Sequence, residues 1–157
     1  VNKYNDGILE DKNIKENVDD DLYRSVNASI DKTVSSMEDL KLQDAVDSAF
    51  DIFRRCNKYI DETEPWVLAK DDDNKGRLNT VLYNLATNIC KGAKLIYSYM
   101  PSTSEKILKM FSVDDLELNT LKNYKIKNGC KVSKEKENLF ERLDYEKVKE
   151  KMDSLGE

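Results

Sequence analysis

A chain of 157 residues suffices for one domain with a single core, and its lack of histidine removes the commonest general base and zinc ligand, so neither catalysis nor a metal site is expected on it. Lys plus Arg number 26 against 31 Asp plus Glu, a net charge of −5, so the molecule as a whole repels polyanions and any contact with nucleic acid must be local. The chain opens at Val1 without a basic-then-apolar leader, and no apolar run approaches the ~20 residues needed to cross a bilayer, so a cytoplasmic setting with no membrane partner is expected.

Glycine and proline are scarce, five and two respectively, which together with abundant Leu, Lys, Glu and Asp predicts an all-α fold. Residues 2–7 precede a first long helix, expected to be capped by the Asp19-Asp20-Asp21 run and to bury Leu22, Val26, Ile30, Val34 and Met37. A second helix is predicted from about Leu42 to Glu64, with Leu42, Ala45, Val46, Ala49, Phe53, Cys56 and Ile60 on its apolar side and Pro65 ending it. The third carries Leu78, Val81, Leu82, Leu85, Ile89, Ala93 and Ile96, takes caps from Asp71-Asp72-Asp73-Asn74, and reaches about Met100. Pro101 interrupts it, and Ser102 to Glu105 has the form of a capping box that opens a short helix with Ile107, Leu108 and Phe111. Residues 112–157 read as an extension of the same domain: a small β-hairpin over 124–132 turning at Asn128-Gly129, a polar connection at 134–138, and a charged helix from Asp144 through Leu155. A bundle of four to five helices in one domain, 1–157, follows.

The segment 57–70 stands apart because it ends an amphipathic helix at Pro65-Trp66, the chain's only tryptophan. An indole there either packs in the core, the usual fate of tryptophan, or offers a π-face on which an unpaired base stacks for roughly 1–3 kcal/mol. Asn57 either reads a base edge or bonds the backbone of the Pro-Trp turn. Arg54, Arg55, Lys58 and Lys70 surround the turn in sequence; they meet phosphates or form an ordinary solvated face. The two Asp runs lack the glycine-bearing ligand spacing of a calcium loop, so capping accounts for them. Cys56, Cys90 and Cys130 form no Cys-x-x-Cys pair and are odd in number, which fits reduced thiols rather than a disulfide framework. Lys131-Val132-Ser133-Lys134 superficially matches a synthetase signature loop, but no nucleotide-binding α/β unit accompanies it.

Asn57-Lys58-Tyr59-Ile60, then Pro65-Trp66, then Lys70 closely resembles the anticodon-binding helical domain of methionyl-tRNA synthetases, class I ligases. The likeness extends over most of the chain. Asn2 to Gly7 resembles the end of that domain's first helix, Met37 to Ala45 the lead into the next, Met100 to Ile107 a following helix start, and Leu139 to Asp144 the family's Leu-Phe-Pro-Arg-Ile-Asp, with Glu141 in place of the proline. The resemblance implies that Trp66 stacks on a base of the CAU anticodon of tRNA(Met), that Pro65 shapes the pocket edge, and that Asn57 hydrogen-bonds there. Arg54, Lys58 and Lys70 would supply phosphate contacts. It implies also that ATP-dependent charging, with ATP and Mg²⁺, belongs to a catalytic domain of the same polypeptide, so this portion needs no cofactor. An Asn and Arg constellation expected upstream would then be missing with a truncated first helix, leaving Ile60, Leu68 or Leu85 partly uncovered. The competing reading is an acidic helical protein-interaction module with Trp66 as its docking anchor.

Overall fold

The computed structural model describes residues 1–135, 138–140 and 144–154. In chain order these form a short strand β1 (Ile8–Leu9), helices α1 (Asn17–Glu38), α2 (Leu42–Thr63), α3 (Pro65–Leu68), α4 (Lys75–Ile96) and α5 (Pro101–Met110), strand β2 (Cys130–Lys131) and helix α6 (Tyr145–Ser154). Single 3-10 turns stand at Asp72–Asn74 and Leu121–Asn123. No helix among the described residues is long and apolar enough to cross a membrane.

Helices α1 and α2 form an antiparallel hairpin through a three-residue corner in which Leu40 takes a positive φ of 60°. Helix α4 packs into this hairpin. Asp19 meets Arg77 and Tyr23 meets Asn84, so partners advance together and α1 runs in the same direction as α4. The start of α1, the end of α2 and the start of α4 therefore share one end of the bundle. Helix α4 is enclosed on nearly every side, including the polar Thr80, Asn84, Thr87, Asn88, Lys91 and Lys94. It is the axial element.

The apolar stripes differ in phase from those expected. On α1, Leu22, Val26 and Ile30 are buried but Val34 and Met37 are exposed, and Thr33 and Ser36 take their place. Each four-residue step overshoots a full turn by about 40°, so a stripe drawn at strict fourfold spacing rotates off the core. On α2 the buried face is Ala45, Ser48, Ala49, Ile52, Cys56 and Tyr59, whereas Leu42 is exposed and Phe53 and Ile60 lie at the margin. Ala45 and Ala49 keep the hairpin partner close, and Gly92 does the same from α4: a Cβ there would lie 2.8 Å from Phe53 Cζ and 3.2 Å from Ile52 Cγ2. Leu85 is buried, while Ile60 and Leu68 are partly buried against the core.

Several termini are corrected. Residues 2–7 form turns rather than a helix end. Helix α1 begins at Asn17 with Glu16 as its cap residue; the Asp19 run starts at the third helical position, from which Asp19 does cap as expected, accepting the Glu16 N–H in a capping box. Asp71 does cap as expected, but for the 3-10 turn: its carboxylate accepts from the Asp73 N–H at 3.0 Å and from Asn74 Nδ2 at 3.1 Å. Helix α4 ends at Ile96, four residues early, and α5 begins with Pro101 at its first position behind Met100. The Ser102–Glu105 capping box is not formed; the preceding Pro has already set the helix start.

The expected hairpin over 124–132 is also not formed. Its turn exists, with the Cys130 N–H donating to Lys127 O at 3.0 Å and Gly129 at φ 79°, but Cys130–Lys131 pairs antiparallel with Ile8–Leu9. The 121–126 segment instead bonds to α4: Lys91 Nζ donates to Lys122 O at 2.7 Å and the Tyr83 hydroxyl to Ile126 O at 2.5 Å. Lys94 Nζ, 2.6 Å from an Asp115 carboxylate oxygen, lies 3.9 Å from the Tyr124 ring centre. Helix α6 exposes Tyr145 and Met152 to solvent. Part of the 134–138 connection, the Glu141 departure from the family pattern and Leu155 lie outside the described residues.

Candidate nucleic-acid interface

Helix α2 cannot continue through Pro65, which has no N–H to donate to the preceding turn. Glu64 absorbs the break by adopting φ 42°, with its own N–H still bonded to Ile60 O at 3.0 Å. Pro65 then starts the one-turn helix α3, and its ring is buried. The Glu64 carbonyl accepts from the N–H groups of both Val67, at 2.7 Å, and Leu68, at 3.2 Å, which ties the turn tightly. Two side chains stand outward from this anchored turn: Trp66, 44% exposed, and Val67, 46% exposed. The indole is thus not a core residue.

Asn57 is exposed on α2, about 9 Å along the axis from Thr63 at 1.5 Å per residue. Its amide makes no bond to the Pro-Trp turn among the described residues. The neighbouring cations are largely engaged. Arg54 Nη1 contacts Asp51 at 2.6 Å and Asp47 O at 3.3 Å. Arg55 and Lys58 converge on Glu62, at 2.9 and 3.7 Å, and Arg55 is mostly covered, so it is the least available of the three. Lys70 is exposed just beyond α3. Exposed pairs of this kind are worth less than about 1 kcal/mol, so a phosphate can displace Asp51 from Arg54 or Glu62 from Lys58 at small cost.

A buried polar network lies behind the tip. Asp19, 2% exposed, accepts from Nη1 and Nη2 of Arg77, at 2.7 Å and 2.9 Å. The Tyr59 hydroxyl donates to Asp19 Oδ1 at 2.5 Å, and the Glu16 N–H donates to Oδ2 at 3.0 Å. Arg77 also donates to Ile14 O at 2.9 Å. Asn84 completes the set, giving an N–H to the Tyr59 oxygen at 3.3 Å and accepting from Tyr23 at 2.9 Å. Burial alone would raise the Asp19 carboxyl; the Arg77 guanidinium, the Tyr59 hydroxyl and the Glu16 amide together hold it below the ordinary carboxylate range. Burial, followed by the Asp19 contact, pushes the Tyr59 phenol above its ordinary range, so it stays a protonated donor.

Sequence reasoning missed this network. Asp19 reads as one of three capping acids, and Tyr59 is adjacent to the apolar stripe as first drawn. The available signal was Arg77, a charge directly before Leu78, the first residue of the apolar stripe of α4.

A profile of the family described as "Anticodon binding domain of methionyl tRNA ligase" matches residues 11–155. The chain belongs to that family. As an anticodon-binding domain it is 40% identical over 158 residues to a methionine–tRNA ligase of Clostridium tetani, covering 100% of the chain and 24% of the relative. It is 39% identical over 150 residues to the ligase of Caldanaerobacter subterraneus subsp. tengcongensis, covering 94% of the chain and 23% of the relative. The domain spans about a quarter of the length of the curated relatives it matches. In fold it is similar to apo methionyl-tRNA synthetase of Mycobacterium tuberculosis, with a TM-score of 0.81 at 20% identity over 90% of this chain and 29% of that one. The anticodon-binding domain thus carries its Pro65-Trp66 turn, buried ring beneath exposed indole, on the family's own helical frame.

Proposed function

We propose that this anticodon-binding domain recognises the anticodon loop of tRNA(Met), so that the tRNA is held in a pose productive for ATP-dependent charging elsewhere in the full-length ligase. The observation that carries the reading is the half-exposed Trp66 on a turn locked by buried Pro65. An indole fixed in this way stacks on an unpaired base with little conformational entropy left to lose. Asn57, exposed and uncommitted to the turn, supplies a donor and an acceptor for a base edge. Arg54, Lys58 and Lys70 supply local positive charge that the net charge of the molecule does not. Methionine activation, with its ATP and Mg²⁺, belongs to the catalytic portion of the polypeptide, and the setting is the cytoplasm.

Trp66→Ala in the full-length ligase tests the division of labour. Loss of one stacking platform, worth roughly 1–3 kcal/mol, lowers kcat/KM for tRNA(Met) charging about 5- to 150-fold while ATP–pyrophosphate exchange with methionine stays near wild type. Equal loss of both activities would refute the assignment. Unchanged charging would favour the competing view of Trp66 as a protein-docking anchor.

A further inference from the structure

The proposed reading gives Trp66 the contact with RNA but does not say what holds the end of α2 at the angle that presents it. We propose that Tyr59, Asp19 and Arg77 are positioning residues for the tip, a latch that fixes the last turns of α2 against α1 and α4; the link to tRNA recognition rests on the reading above.

Tyr59 is the side chain through which the end of α2 enters the buried network. It is fully buried, its own carbonyl accepts from Thr63 Oγ1 at 2.7 Å, and Glu64 and Pro65 follow within six residues. Its hydroxyl is satisfied in both senses, giving its proton to Asp19 and receiving one from Asn84. Asp19 is in turn held by two bonds from Arg77 and one from the Glu16 backbone, so its position does not depend on Tyr59. The fixed side of the latch is the ion pair between α1 and α4; the movable side is the phenol on α2. Removing the hydroxyl therefore leaves the carboxylate partnered and the fold closed, yet frees the turn that carries Pro65-Trp66 from its one charge-assisted tie, among the described residues, to the other two helices. This asymmetry makes the proposal separable from a purely structural role.

The variant is Tyr59→Phe, and the matched control is Tyr83→Phe, which removes another buried hydroxyl, one that bonds Ile126 O and has no tie to α2. Trp66 is the only tryptophan, so time-resolved emission anisotropy and acrylamide quenching of the RNA-free chain report the tip directly. Tyr59→Phe is expected to raise the quenching constant about twofold and to enlarge the fast anisotropy component, with helical circular dichroism retained; Tyr83→Phe leaves both optical readouts at wild-type values. With a stem-loop bearing CAU, Tyr59→Phe weakens binding about fivefold and reduces discrimination against a scrambled loop, again unlike the control. Equal optical behaviour of the two variants would overturn the latch. A wild-type chain that does not distinguish the loops, together with a Trp66 mobilised only by Tyr59→Phe, would uphold the latch and count against anticodon reading instead.

Discussion

Asp19 and Arg77 are a buried bidentate pair, and such a pair is dangerous to break rather than generous to make. Asp19→Ala leaves the enclosed guanidinium only the exposed Glu16 carboxylate, 3.3 Å away, as counter-charge and is expected to cost about 3 kcal/mol, read as a shift in the urea midpoint at pH 7. Because the folded state holds the Asp19 carboxyl below its ordinary value, its stabilising contribution is present above the unfolded carboxylate range and is lost as pH falls through the folded value. The stability difference between wild type and Asp19→Asn should therefore narrow as melts are taken from pH 6 down to pH 2.5; a constant difference would mean the charge is irrelevant. Lys91 gives a pH dependence of the same sign for a different reason, since burial penalises its charge rather than a partner stabilising it. Burial, then the charge of Lys125, lowers its ammonium from 10.5 to about 8, with Lys122 O as acceptor and the Tyr23 ring 5.3 Å away. Between about pH 8 and 10.5 the unfolded chain binds that proton more tightly than the native one, so stability relative to Lys91→Met rises across this window. Neither residue was legible in the sequence. A charge in a helix reads as solvated, and only the partner from a distant element reveals that it is not.

At the scale of elements, the helices were legible because their periodicity is local, and their faces were not because packing is not. Of the stripe expected on α2, Ala45, Ala49 and Cys56 are buried, whereas Leu42 is exposed and Val46, Phe53 and Ile60 are only partly covered; Ser48, Ile52 and Tyr59 complete the buried face. The large members fall at its margin because α4 approaches closely at Gly92. Gly92→Val tests this directly: the new side chain meets the Phe53 ring and Ile52, and overpacking of this kind should cost about 1–3 kcal/mol in a thermal or urea melt. A neutral effect would show that the two helices separate freely. The Asn128-Gly129 turn was likewise read correctly as a turn, but its strand found a partner in Ile8–Leu9, more than a hundred residues earlier and beyond any local pattern. The stop of α2 before Pro65 was readable, because proline has no N–H for the preceding turn; the one-turn helix that restarts at Pro65 was not, and the exposure of Trp66 depends on which elements leave that end of the bundle uncovered.

For the molecule as a whole, a net charge of −5 and largely paired cations around the tip set how RNA binding must respond to salt. If Arg54, Lys58 and Lys70 are the phosphate contacts, the plot of log affinity against log salt has a slope of about −2 to −3; a much steeper slope would require a second basic surface. The central claim is that the indole on the Pro65-anchored turn meets an anticodon base. Titrating the chain with a CAU stem-loop and a scrambled-loop control, while following Trp66 fluorescence at fixed moderate salt, tests it most directly. The account predicts saturable quenching that is selective for CAU. Quenching by both loops alike, or by neither, would contradict it.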